Sequence, residues 1–231
     1  MADTILERAS GIYRQMSHAA MRAGRDPAEV RLVAVTKTIQ ASRVLEAHHA
    51  GLRVFGENRV QEAQDKVTSA ELGPLRSTIE WHLIGHLQKN KAKHAVSLFD
   101  MIHTVDSLEL ATVLDHHAER LGKVQKVLVQ VKLSEEETKH GVPVDGLIPL
   151  LEGISSLRNL HPLGLMTMPP YLEAEETRPY FRKLRELRDD AETRGFPLPE
   201  LSMGMSHDFT VAVEEGATLV RIGTAIFGER A

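Results

Sequence analysis

The chain has 231 residues, 42% of them hydrophobic and 26% charged, which is ordinary composition for a globular protein. Its 28 basic and 32 acidic side chains leave a net charge of −4, so no basic footprint argues for nucleic acid. Zero cysteines exclude disulfides, thiol catalysis and thiolate metal sites.

The N-terminus, MADTILERASG, carries early acids and no apolar core, so it reads as neither a signal nor a transit peptide. No apolar run nears the ~20 residues that cross a bilayer. The expectation is a cytoplasmic protein with no membrane partner. Residues 3–24 predict a helix, because Ile5, Ala9, Ile12, Met16 and Ala19 recur on one face. Asp3 or Thr4 can cap it, and Gly24 with Pro27 ends it.

Beyond that point the period changes. Strands are predicted at Leu32–Val35, Val54–Gly56, Trp81–Ile84, Met101–Val105, Val127–Val131, Leu163–Met166, Leu201–Met203 and Leu219–Ile222. Helices are predicted between them, at Ser42–Ala50, Asn58–Ser69, Lys89–Ala95, Ser107–Leu121, Val144–Leu157, Glu175–Arg194 and His207–Glu215. Gly51, Gly122, Gly195 and Gly216 follow four of the helices where a left-handed cap residue fits. Strictly alternating strands and helices imply parallel pairing with right-handed crossovers. Eight such units fit a single (β/α)8 TIM barrel with an extra N-terminal helix, one α/β domain over residues 1–231. A doubly wound open sheet is the rival, but the turn after the first strand reads TKTIQAS where a glycine-rich turn is expected.

In a barrel the chemistry lies at the C-terminal ends of the strands. The first strand ends in Thr36-Lys37-Thr38, and a lysine after RLVAV stands at the mouth, where desolvation favours the neutral amine that attacks a carbonyl. The plainer reading is a lysine that snorkels to solvent. The seventh strand ends LSMGMSHD. There Gly204 allows close backbone approach, and Ser206, capping a helix from His207, makes an anion site. A bare helix cap is the plainer reading. The eighth strand ends VRIGTAIFG, where Gly223 and Thr224 add two N–H groups at the place where barrels bind phosphate.

Arg221 lies inside that strand and needs a partner or the polar mouth; Glu57 is one acid that could pair with it. Asn58 stands at the same rim, or caps the next helix. His82 and His86 lie in a strand and a turn, where a spacing of four does not align ligands, so no metal is expected. The doublets His48-His49 and His116-His117, the lysines Lys89, Lys91 and Lys93, and the charged run 175–194 read as solvated surface. Lys132 is the alternative Schiff-base lysine.

A lysine at strand one with a phosphate cradle at strands seven and eight is the layout of fold-type III pyridoxal phosphate proteins. Over nearly its whole length the chain resembles the pyridoxal phosphate homeostasis proteins, the YggS-like family. The stretches that carry the resemblance are VAVTKT (33–38), FGENRVQEA (55–63), WHLIGHLQKNK (81–91), HTVDS (103–107), KHG (139–141), GLMTM (164–168), LSMGMSHD (201–208) and VRIGTAIFG (220–228). It implies a cytoplasmic monomer holding pyridoxal 5′-phosphate (PLP) as a Schiff base on Lys37. The phosphate would lie at Ser206, Gly223 and Thr224, Arg221 beside the pyridine nitrogen and Asn58 near the ring. Departures are Ile39-Gln40, where many relatives carry a proline nearby, and Arg59, where an aromatic residue is frequent.

The implied role is carriage and buffering of the cofactor, with PLP-dependent apoenzymes as candidate recipients and no robust catalysis. Two rivals remain: a PLP-dependent amino-acid racemase, and a cofactor-free Schiff-base aldolase using Lys37 or Lys132. Racemisation needs a second base, a tyrosine from a separate domain in alanine racemase. Here the sequence stops just after the eighth strand, and its tyrosines are Tyr13, Tyr171 and Tyr180.

Overall fold

The computed structural model describes residues 4–134, 136 and 140–228. Helix α1 (Ile5–Arg22) starts at Thr4, whose hydroxyl accepts from the Glu7 N–H while the Glu7 carboxylate accepts from the Thr4 N–H. Asp3, the other expected cap, lies outside the described residues. The five apolar positions read from the sequence are all buried.

Strands β1 (Arg31–Val35), β2 (Val54–Glu57), β3 (Glu80–Leu83), β4 (Met101–Val105), β5 (Gln125–Gln130), β6 (Leu160–Met166), β7 (Glu200–Ser202) and β8 (Leu219–Ile222) follow. Between them run α2 (Ala41–His49), α3 (Val60–Val67), α4 (Ala92–Leu98), α5 (Leu108–Arg120), α6 (Leu147–Ser155), α7 (Arg178–Thr193) and α8 (Phe209–Glu214), and α9 (Thr224–Phe227) comes last. Every strand pairs in parallel with the next, and β8 returns to β1, so the sheet closes. The expected (β/α)8 barrel with its N-terminal helix is the fold that forms. α1 packs along α8 and α9, where a helix after β8 would otherwise lie.

Some boundaries differ from the sequence reading for local reasons. Lys89–Lys91 form a 3-10 turn, and α4 runs to Leu98 because Ala92, Ala95, Val96 and Leu98 make its buried face. α8 starts at Phe209, not His207, because the Asp208 carboxylate first accepts from the Met205 N–H and closes a turn. His48, expected in solvent, is buried on α2 with Nε2 3.0 Å from Thr78 Oγ1. The charged helix α7 is also not merely solvated. Its Arg178, Arg182 and Arg185 converge on the buried carboxylate of Glu215 at 3.1, 3.1 and 3.3 Å.

The main apolar core is the annulus between strands and helices. A smaller one fills the lumen with Val33, Met101, Leu128, Met166 and Leu219. The rest of the lumen is polar: His82, His103, Ser202 and Arg221 are all buried there. Glycine lets two strands approach closely, since a Cβ on Gly164 would fall 1.8 Å from the Glu200 carbonyl oxygen on β7. Gly164→Ala is therefore expected to lower stability by roughly 3 kcal/mol, by spreading β6 from β7. Urea unfolding followed by circular dichroism measures it.

Candidate functional site

A cavity of about 420 Å³ opens at the C-terminal mouth of the barrel, a size that suits a small molecule. Lys37, Asn58, Ser206, Arg221, Gly223 and Thr224 all line it, so the fold brings together the six residues that the resemblance assigns to the cofactor. Ile84, Gly85, His86, Gln130, His140, Met168, Tyr171 and Met205 complete its wall. Lys132 is not among the lining residues.

Lys37 is the second residue after β1, and the peptides on either side of it are tied down. Thr36 Oγ1 donates to buried Glu57 at 2.5 Å, and the Thr36 carbonyl accepts from Lys66 Nζ at 2.5 Å. Lys66 also reaches Glu57 at 2.6 Å and Glu62 at 2.7 Å, and Glu62 in turn accepts from the Thr38 N–H. Burial pushes the Glu57 carboxyl above its usual range, against the pull of Lys66. Thr38 has φ 65°, the only positive φ on a non-glycine among the described residues. A β-branched side chain is strained there, and the Glu62 contact helps to hold it. Sequence reasoning missed this cluster; the Glu62–Lys66 spacing of four was its only local signal.

Opposite, the turn after β7 presents Ser206. Gly204 has φ 91°, and a Cβ on it would meet Ala212 Cβ at 2.6 Å, so the turn lies directly on α8. Ser206 does not cap that helix, contrary to the sequence expectation, because Asp208 occupies the cap position. Its oxygen faces the start of α9 instead, 3.5 Å from the Ala225 N–H. The N–H groups of Gly223 and Thr224 have no acceptor among the described residues. One hydroxyl and two open N–H groups therefore face one end of the cavity.

Arg221 rises from β8 beneath the cavity, 4% exposed. Its Nη1 donates to Ser202 Oγ at 2.6 Å and its Nη2 to the Thr167 carbonyl at 2.9 Å. Glu57 is not its partner, since that carboxylate belongs to Lys66. Burial pulls the guanidinium down to about 10, so it remains a cation at neutral pH. Asn58 is half-buried and does not cap α3, where Arg59 stands at the cap position. Its backbone lies against Gly85, on which a Cβ would fall 2.2 Å from the Asn58 carbonyl oxygen. Gln130 donates to the His140 carbonyl at 2.9 Å, while its buried Oε1 has no donor among the described residues.

At the rim His86, Asp106 and His140 bring three potential ligand atoms within 4.8 Å, a grouping that the His82–His86 spacing did not foretell. The two imidazoles stack 3.7 Å apart at 11°, so their lone pairs run in parallel planes and do not converge on one ion.

The architecture and site define a parallel barrel of the alanine racemase type: the family described as "Alanine racemase, N-terminal domain" matches residues 12–231. A pyridoxal phosphate homeostasis protein of Aquifex aeolicus is 46% identical over 226 residues, covering 97% of each chain. One from Pseudomonas aeruginosa is 43% identical over 228 residues, covering 98% of this chain and 96% of its own. Among solved structures, PipY of Synechococcus elongatus with PLP bound is 42% identical at a TM-score of 0.85, over 97% of this chain and 100% of its own. The chain belongs to the pyridoxal phosphate homeostasis protein family.

Lys66→Met is expected to cost about 3 kcal/mol, because it strands a buried carboxylate. Adding Glu57→Gln should recover part of that loss in the same urea titration.

Proposed function

We propose that this chain is a cytoplasmic, monomeric carrier that binds pyridoxal 5′-phosphate reversibly at the barrel mouth, buffers it for PLP-dependent apoenzymes and catalyses little itself. The observation that carries the reading is the buried Arg221 below a cavity that also holds a lysine and an anion cradle. Residues of that cavity fit each part of the molecule. Ser206 and the N–H groups of Gly223 and Thr224 would hold the phosphate. Arg221 would donate to the pyridine nitrogen, Lys37 would reach the aldehyde, and Asn58 would border the ring. When bound, the cofactor supplies an aldehyde that captures a primary amine with loss of water, and a ring that withdraws electrons when its nitrogen is protonated.

The protein side explains why capture would outrun catalysis. A guanidinium can only donate, so it occupies the ring nitrogen without giving up a proton. The pinned peptides around Lys37 hold its amine at the mouth, where an incoming amine can exchange with it. No helix among the described residues is long and apolar enough to cross a membrane, which accords with a carrier free in solution. Removing the site should separate the contacts. Lys37→Ala is expected to remain folded but to lose the visible band of the bound cofactor and the label fixed by borohydride; a label on Lys132 instead would retire the assignment and favour the aldolase reading. Ser206→Ala should weaken PLP by roughly 1.5–3 kcal/mol in a binding titration and leave pyridoxal without its phosphate unaffected.

Racemisation is the second reading, and Tyr171 is what favours it. That tyrosine lines the same cavity as Lys37 and lies 4.7 Å from the His207 ring. It is also 84% exposed, which leaves it without the packing that would aim a base at one face of a substrate. A missing base costs typically 10²–10⁴-fold. The loaded protein with L-alanine in deuterated water is expected to exchange the α-hydrogen far more slowly than about one turnover per second, the usual lower range for enzymes. Exchange at that rate or faster, abolished by Tyr171→Phe, would promote the racemase reading.

A further inference from the structure

Below the cavity, the lumen holds a run of polar side chains that the proposed binding site meets only at Arg221. It starts on the opposite face of the barrel, where Arg31 lies 3.7 Å from Glu80 at the beginning of β3. From there, Glu80 Oε1 is 2.9 Å from His82 Nε2, and His82 Nδ1 is 2.9 Å from His103 Nε2. His103 Nδ1 is 2.9 Å from Ser202 Oγ, and that oxygen is 2.6 Å from Arg221 Nη1. His82, His103 and Ser202 have no exposed surface, so each polar atom must find its partner inside the chain.

Counting protons from the two ends settles the direction. Arg221 can only donate, so Ser202 Oγ accepts from it and keeps one hydrogen to place. At the other end, the hydrogen bond from His82 holds the Glu80 carboxyl down to about 2, so Glu80 can only accept and His82 Nε2 carries a proton. If Ser202 gives its hydrogen to His103 Nδ1, then His103 Nε2–H donates to His82 Nδ1 and every contact carries one proton. The reverse arrangement puts a proton on His103 Nδ1 against the serine oxygen. It would leave the serine hydrogen without an acceptor among the described residues, and would need a second cation, on His82, in a lumen that already holds Arg221. Burial opposes any charge on His103 as well, holding it well below the ordinary histidine range.

We propose that Arg221, Ser202, His103, His82 and Glu80 form a one-way chain of hydrogen-bond donors through the barrel, in which Ser202, His103 and His82 are positioning residues that set the rotation of the guanidinium. Two of its five N–H donors are taken below, by Ser202 and by the Thr167 carbonyl, which directs others towards the cavity. The chain ends on a carboxylate at the far face, while the acid whose charge acts on the guanidinium is buried Asp208, in the turn after β7. Among the described residues Asp208 makes no hydrogen bond to Arg221, so it leaves the remaining guanidinium donors to the cavity.

Nitrogen-15 spectra of the full-length protein labelled in histidine, at pH 7 and without cofactor, test the chain itself. Both His82 and His103 are expected to carry their proton on Nε2 with Nδ1 bare, each assigned by the signal lost in His82→Gln and His103→Gln. Should either variant fail to fold, selective decoupling to the ring protons of the parent protein assigns the same signals. An imidazolium at His82, or a proton on Nδ1 of His103, would overturn the proposal.

A second arm rests on the proposed placement of Arg221 at the ring nitrogen. Ser202→Ala should weaken PLP about tenfold, as one lost hydrogen bond to a charged group predicts, and leave unchanged a carbocyclic analogue with C–H in place of that nitrogen. Ser202→Thr, which keeps the hydroxyl, should restore most of the difference. Equal loss of both ligands with the expected tautomers intact would retire the placement of the ring nitrogen at Arg221 and leave the chain standing. Equal loss with altered tautomers would retire both.

Discussion

A permanent cation sits inside the barrel of this protein, and much of the surrounding sequence answers to it. Placing an arginine at 4% exposure is costly unless its donors find acceptors and its charge is balanced. Ser202 and the Thr167 carbonyl meet the first demand at 2.6 and 2.9 Å. The second falls to buried Asp208, whose charge acts on the guanidinium from the turn after β7, while the hydrogen-bond run continues through two imidazoles to Glu80. A lumen of branched aliphatic side chains, the common filling of such barrels, would have left the Arg221 donor to Ser202 without its acceptor. The apolar cluster of Val33, Met101, Leu128, Met166 and Leu219 therefore shares the interior with a polar column.

A second buried charge set supports the other half of the mouth. Lys66 neutralises Glu57 and binds the Thr36 carbonyl, while Glu62 takes the Thr38 N–H. These contacts cost stability if one member is removed, because the remaining charge is stranded in a dry environment. Their return is positional. Lys37 stands between two residues whose backbone cannot shift without breaking an ion pair, and Thr38 is held at a strained φ of 65°. The two charge sets lie on separate strands and do not exchange partners, which is why Arg221 and Glu57 stay apart.

The anion side of the mouth works by omission. Asp208 takes over the helix start that Ser206 could have served, and so the Ser206 hydroxyl is turned towards α9. Gly204 brings the turn against α8, where a side chain would clash at 2.6 Å, and Gly223 with Thr224 leaves two N–H groups unclaimed among the described residues. An anion is the natural occupant of such an arrangement, as donors without acceptors are expensive only while nothing binds them. Structural economy and ligand binding thus draw on the same few atoms.

Alternating runs of apolar and amphipathic residues were enough to specify the barrel, since period and glycine caps are local properties that survive reading one residue at a time. The strand ends, and with them Lys37, Asn58, Ser206, Arg221, Gly223 and Thr224, followed from the rule that such barrels work at one face. Those six do meet in one cavity. What no local reading could supply was the pairing of residues far apart in the chain. His103 and Ser202 are separated by 99 positions and Thr167 and Arg221 by 54, yet each pair bonds across the lumen. Only closure of the sheet brings β3, β4, β7 and β8 to a common axis, and only then is it decided that His82 is an interior link, His48 a buried side chain and Glu57 the partner of a lysine. Hydrogen-bond partners depend on three-dimensional proximity at 3 Å, and a sequence carries that information only through the fold.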